Sequence, residues 1–486
     1  MARGDRPMDG DDAGDLRQFG YEQRLCRQIG PFSSFALAFS LISVFTGIFA
    51  NFGHGLRHAG GTVVWSWLLV LGGQTLVAVV LAGLSRRMPL SGYGYQWTSR
   101  LADPHVGFFV GWLLALQFLT GFPGICATLA TELGAAAGGW WAGPTGRTTL
   151  TLAVIAAVTT LHLVGLRAAA LVNDVGVWAE LVGVVVVAAV LVGVAVVRGA
   201  DPATLVSTAG APDSVPAGVG GWALSLLLGA WCLTGFEAAA DLAEETRQPR
   251  RVVPRAMLTS LLAAGIAGAA LLAGLVLAAP DLAAARSDPH PLPRILAAAL
   301  GVGGSRLVLA VGALSIFACA LASMAGASRL LYAMARDRML PGSRALAALD
   351  RAGRSPQRAI LFVALISSVV VLVVPTLDVI TQISAVAGYL GYAGIVATAA
   401  SARPGPGGAA VGWGERAVAW AALAWVLAVV AALTIPPLRI AGVETLHLPA
   451  RSTAIGIAVG IAVYLTTIRP RIRAGVAGPP PAAASR

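Results

Sequence analysis

Lysine is missing altogether: every one of the 34 basic residues in this 486-residue chain is an arginine. Charge of either sign is scarce, at 12% of residues, whereas a soluble domain carries about 25%. A chain so poor in charge cannot dress the surface of a soluble protein of this size, which excludes a cytosolic enzyme with an attached anchor. Cysteine is rare too. Cys26 lies in the polar N-terminal stretch, and Cys126, Cys232 and Cys319 lie inside apolar runs. Neither a disulfide framework nor a Cys/His metal site is expected from them. The six histidines (His54, His58, His105, His162, His290, His447) are scattered, mostly at expected membrane interfaces. No Ser/His/Asp pattern appears, and Gly301-Val302-Gly303-Gly304 lacks the Lys and Ser/Thr of a phosphate loop. No catalytic residue, metal or cofactor is therefore expected. The N-terminus also lacks the basic patch and apolar run of a secretory signal.

What is present is hydrophobicity: 57% of residues are apolar and the mean hydropathy is +0.77. A membrane-crossing helix needs about 20 apolar residues. Twelve such runs can be read, at roughly 33–56, 62–84, 106–135, 147–166, 174–198, 219–240, 256–279, 306–334, 357–374, 377–400, 416–435 and 451–468. The fold expected is all-α, a polytopic membrane protein of twelve transmembrane helices. Residues 1–32 form an N-terminal tail, 33–400 a ten-helix core, 401–468 two accessory helices, and 469–486 a C-terminal tail disordered by composition. The net charge of +11 reports topology rather than nucleic-acid binding. With the N-terminus inside, 25 arginines fall on the cytoplasmic side and 8 on the other, and Arg329 lies within the eighth run. That is the positive-inside bias, and it puts both termini in the cytoplasm.

An internal echo links the first and sixth runs. Ser43-Val44-Phe45-Thr46-Gly47-Ile48 and Trp231-Cys232-Leu233-Thr234-Gly235-Phe236-Glu237 both place Thr-Gly between apolar residues near mid-span. Glycine weakens a helix there by about 1 kcal/mol relative to alanine, and threonine can bond back to a carbonyl and bend it. Five spans separate the copies, so the second enters the membrane from the opposite side. An inverted repeat of five plus five spans produces this pattern, with a site near the midplane between two broken helices. Close helix packing on small residues is the alternative explanation.

Four segments carry a family likeness. They are Ala38 to Ile48; Pro89-Leu90-Ser91-Gly92-Tyr93-Gly94-Tyr95-Gln96-Trp97 in the loop after the second run; Thr234 to Glu237 through Glu244-Glu245-Thr246, Pro249-Arg250-Arg251 and Pro254-Arg255; and Ser328 to Asp337 with Leu340-Pro341. The sequence resembles the amino acid–polyamine–organocation superfamily, and within it the amino acid/choline branch that includes GABA permeases. Tyr93 stands where that family has a second glycine. The resemblance implies a LeuT-like five-plus-five inverted repeat with the first and sixth helices broken. It also implies substrate binding around Ser43, Val44, Thr46, Gly47, Ile48, Trp231, Cys232, Thr234, Gly235, Phe236 and Glu237. The substrate carboxylate would meet N–H groups at Thr46, Gly47 and Ile48, and its amine the carbonyls at Trp231, Cys232 and Thr234. Phe236 would act as a gate.

Acids inside spans are few, so each is informative. Glu237 either orients the unwound segment or helps bind a cationic group. Glu180, six residues into the fifth run, is the candidate for ion coupling, since desolvation disfavours a charged carboxyl and suits reversible proton carriage; snorkelling at a helix end is the other reading. Asp241, Glu244 and Glu245 are expected to form a cytoplasmic charge network with Arg247, Arg250 and Arg251. Gln117, Thr120, Ser323 and Tyr389 are polar groups that could line the pocket. The function expected is a secondary transporter for an amino acid or small organic amine, coupled to a proton or, less well supported, a sodium gradient. Its partners are that substrate, the ion and the lipid bilayer. A transporter-like nutrient sensor and an uncoupled exchanger are the alternatives.

Overall fold

The computed structural model describes residues 16–23, 27–164, 166–208, 219–288, 290–349, 355–374, 376–401, 413–435, 438–440, 443–445 and 448–481. Cys26 and His447 lie outside them. An apolar segment in hydrocarbon must satisfy its own backbone polar groups, which a helix does. In order, α1 (Pro31–Ile42), α2 (Val44–Ala59) and α3 (Val63–Arg87) are followed by α4 (Tyr93–Leu101), α5 (Pro104–Ala137), α6 (Pro144–Val164) and α7 (Leu166–Val197). Then come α8 (Val219–Leu224), α9 (Leu226–Cys232), α10 (Ala238–Asp241), α11 (Pro249–Ala278), α12 (Leu282–Ser287) and α13 (Pro291–Arg336). The chain closes with α14 (Ser343–Leu346), α15 (Gln357–Val373), α16 (Leu377–Ser401), α17 (Trp413–Thr434), α18 (Leu448–Val463) and α19 (Arg469–Arg473). The exception among the described residues is an antiparallel strand pair, β1 (Leu438–Ile440) with β2 (Val443–Thr445).

Helix starts follow local chemistry. Proline opens α1, α5, α11 and α13, where its missing N–H costs nothing. Asp103 caps α5 by accepting from the N–H groups of His105 (2.6 Å) and Val106 (3.0 Å). Nine helical stretches among the described residues are long and apolar enough to cross a membrane, joined by the shorter apolar helices Trp222–Cys232 and Gln357–Val373. One of the nine, Pro31–Arg87, runs 57 residues and is divided at Ser43 and at a 3-10 turn over Gly60–Thr62. Apolar side chains such as Val182, Val185 and Val186 on α7, and Leu361, Leu365 and Leu372 on α15, are exposed and present a surface for hydrocarbon. Apart from that strand pair, the described residues form a helical, multi-pass membrane protein.

Two expectations are corrected. The segment after α3, read as a loop, is a buried helix, α4. Gly92 supplies the turn into it with φ +81°, and a Cβ there would stand 2.6 Å from that of Ala333. Tyr93, in place of the second glycine, begins the helix and does not bear the turn. Residues 474–481, read as a disordered tail, lie against the body of the protein. Gly478 N–H donates to the Asp337 carbonyl (2.9 Å), and Pro480 and Pro481 pack on Gly20. Composition marked these residues as poor core formers, but they need no core of their own because they rest on one. Both described ends of the chain therefore meet at one face of the bundle, called here the tail face.

Candidate functional site

The site forms where two helices are interrupted. Between α1 and α2, Ser43 takes φ 37° and ψ 97°, outside any helical conformation. Its side-chain oxygen accepts from Thr46 N–H at 3.3 Å, lies 2.6 Å from Thr46 Oγ1 and 3.3 Å from Ser315 Oγ on α13. Between α9 and α10 the chain leaves the helix at Leu233, and Gly235 takes φ +97°, which a side chain would strain. Thr234 Oγ1 donates to the Trp231 carbonyl (2.8 Å), and Gln74 Nε2 to the Leu233 carbonyl (3.0 Å). Glu237 Oε2 accepts from Gly235 N–H (3.0 Å).

The two interruptions touch. A Cβ on Gly47 would fall on the Cys232 side chain, and one on Gly235 would reach Leu41. Between them and α5, α13 and α16 lies a small cavity. Of the expected site residues, Thr46, Trp231, Cys232, Thr234, Gly235 and Glu237 line it. Ser43, Val44, Gly47 and Ile48 pack just behind, fully buried. Phe236 is buried against Tyr392, ring centroids 6.0 Å apart, and is not among the lining residues. Gln117 and Ser323 line the cavity, and Thr120 and Tyr389 do not. Phe118, Gly121, Ile125 and Ser384 also line it, and no motif pointed to them. In helices apolar on every side, nothing local marks the inward face.

Glu180 comes to the first interruption. It is buried (1% exposed), and its Oε1 accepts from Phe45 N–H at 3.2 Å, with Ser43 and Ser315 beside it. A carboxylate at a helix N-terminus satisfies orphan donors and the helix dipole together. The N–H groups of Phe45, Thr46 and Gly47 are thus engaged by Glu180, Ser43 Oγ and the Ser43 carbonyl.

The charge network beyond α10 differs from the sequence expectation. Its cations come from α13 and not from the neighbouring Arg247, Arg250 and Arg251. Arg336 holds Glu244 through two bonds, Nη1 to Oε2 at 3.1 Å and Nη2 to Oε1 at 3.2 Å. Arg329 Nε holds Glu245 Oε1 at 3.1 Å. Asp241 and Glu244 are buried. Beside them, Tyr21 donates its hydroxyl to the Asp337 carboxylate (2.8 Å), and Arg336 stacks 3.9 Å from the Tyr21 ring centroid. Tyr95 and Gln96 also donate to Asp337. A segment before the first helix is so fastened to the tail face.

Tyr21→Phe is expected to cost about 1.5–3 kcal/mol, the range for a hydrogen bond to a charged group, read as a lower unfolding midpoint in detergent. Burial, with Asp337 next, pushes the Tyr21 hydroxyl well above its ordinary value of 10.0. The folded state therefore keeps this proton after the unfolded chain has lost it. The stabilisation is complete below about pH 10 and falls as pH rises beyond it, so wild type and Tyr21→Phe should converge in stability under alkaline conditions.

His54 and His58 stand one turn apart, a pair the sequence reading passed over, with ring centroids 4.6 Å apart. His54 Nδ1 lies 3.7 Å from Asp378 Oδ2. No group of three potential metal ligands occurs among the described residues.

Interrupted helices that meet at a buried cavity inside a multi-pass helical bundle define a membrane transporter. The chain matches the amino acid permease family over residues 29–459. It belongs to that family, within the amino acid–polyamine–organocation superfamily, and is not an enzyme. It is 26% identical to amino-acid permease BAT1 of Arabidopsis thaliana over 68% of each chain. It is 26% identical to the branched-chain amino acid permease BcaP of Bacillus subtilis, over 66% of this chain and 70% of that one. It is also 28% identical to the low-affinity putrescine importer PlaP of Escherichia coli, over 55% of this chain and 59% of that one.

Proposed function

We propose that the protein is a secondary active transporter for an amino acid or small organic amine, working by alternating access and driven by a proton gradient, with sodium the less favoured ion. The observation that carries this reading is the contact of the two helix interruptions around one cavity, which is where such transporters bind their cargo. The architecture we infer has twelve crossings. The first (α1–α2) and sixth (α8–α10) are the broken members of a five-plus-five inverted repeat, and α17 and α18 are accessory. The arginine bias assigns the tail face to the cytoplasm, in a cell membrane.

Cargo binding is assigned to the cavity side of Ser43–Ile48 and Trp231–Glu237. The cargo amine is placed near Glu237, whose carboxylate lines the cavity with the Tyr392 hydroxyl beside it; none of the lining residues is an arginine. Relatives named for branched-chain amino acids and for putrescine support the range of cargo. A proton is preferred because Glu180 is held on the first break, where it can exchange a proton as the break rearranges. Radiolabelled uptake into proteoliposomes, screened across amino acids and amines with and without a protonophore, tests the reading. Gradient-dependent accumulation of at least one compound is expected, and accumulation of none would overturn it.

A further inference from the structure

We propose that Asp241 is a proton-binding site through which the coupling proton leaves the cavity toward the tail face. The inference rests on the proton-coupled reading above and adds a site to it. Asp241 ends α10, one turn after Glu237, and is fully buried. Neither of its carboxyl oxygens has a hydrogen-bond partner among the described residues. A Cβ on Gly326 of α13 would stand 3.5 Å from Oδ2, so one side of the carboxyl meets bare backbone. Facing it are Glu237 from its own element, Arg329 from α13 and the Gly92 amide, and Tyr93 from α4, whose hydroxyl is also unpartnered. The other two helices against α10 add no charge at this point. α1 has no titratable residue. On α11, Arg250 reaches the Arg86 carbonyl, and Arg251 and Arg255 are exposed.

A buried ionised carboxylate that is faced by a single backbone amide, with no hydrogen bond closed on either oxygen, is strongly disfavoured, and the neutral acid far less so. In this arrangement, then, Asp241 holds a proton. The way out is built beside it. Arg329 spends Nε on Glu245 and Nη1 on Ser328, while its Nη2 is buried and unpartnered. When Arg329 turns Nη2 toward Asp241, the acid O–H breaks, the proton passes to water at the tail face, and the carboxylate pairs with the guanidinium. Glu237, which lines the cavity, supplies the proton from the cavity side.

The test uses the full chain in proteoliposomes containing a pH-sensitive dye, with radiolabelled L-leucine and putrescine as probes. For one proton per cargo, a one-unit pH gradient supports about tenfold accumulation. Asp241→Asn is expected to reduce this to simple equilibration and abolish the internal acidification, while counterflow exchange continues. D241E should restore part of the accumulation. In infrared difference spectra against pH, a carboxylic-acid carbonyl band is expected in the wild type and missing from D241N. Arg329→Gln should move the midpoint of that band to higher pH. Wild-type pH dependence of accumulation in D241N, or an unaltered band, overturns the proposal; D241S decides the same points if D241N does not fold. Failure of the wild type to accumulate either probe under a pH gradient counts against the transport reading, and the infrared band still decides on Asp241.

Discussion

Arg329→Ala is expected to destabilise the protein by about 3–5 kcal/mol, the cost of removing one partner of a buried ion pair. The arginine is inside the eighth apolar run, 3% exposed, and bonded to Glu245, which is 12% exposed. Its loss strips Glu245 of this counter-charge and removes the guanidinium that faces Asp241. The damage should therefore come from stranded acid and not from lost packing. Two further variants separate these causes. Adding Glu245→Gln to Arg329→Ala should recover part of the stability. Combining Arg329→Met with Glu245→Leu should recover most of it, since apolar residues often replace a buried pair at no net loss. Unfolding midpoints of the purified variants in one detergent decide the matter. Equal midpoints for the single and double variants would sink this account of the pair.

Glu180→Gln has the larger expected effect on transport. The amide still offers an oxygen to Phe45 N–H, so the start of α2 keeps its cap, but it can neither carry a proton nor balance a cation. Under a one-unit pH gradient, accumulation should fall from about tenfold to about one, and the pH dependence of uptake should flatten. Glu180→Ala should in addition lower stability, because the Phe45 N–H then has no acceptor. Uptake by Glu180→Gln proteoliposomes across a pH series checks this, and an unchanged pH dependence would refute the role given to Glu180.

Much of the site was legible because backbone interruptions need particular residues. Gly235 could adopt its positive φ without strain only as a glycine, and Gly47 admits Cys232 because it has no Cβ. Those glycines, with the threonines before them, are what the sequence displays at mid-span. Glu180 was legible as an isolated acid in a long apolar run, although its partner at Phe45 was not, being 135 positions away. The charge network was misassigned for a related reason. Arg247, Arg250 and Arg251 are near the acids in sequence, whereas Arg329 and Arg336 reach them across the bundle, two turns apart on one face of α13. Helix α4 was hidden by its opening Pro-Leu-Ser-Gly, which reads as a turn; the turn is real but ends at Gly92.

The meeting of the two described ends, at residues 16–20 and 480–481, has a use in engineering. Gly20 and the Pro480–Pro481 stretch are in contact, so a short peptide could join residue 481 to residue 16 without crossing the membrane. Domains whose ends lie close together tolerate circular permutation. A permuted chain reopened in a loop at the opposite face would carry its new ends across the bilayer from the old ones. Fluorescent reporters could then be fused on that side without disturbing the grip of Tyr21 on Asp337.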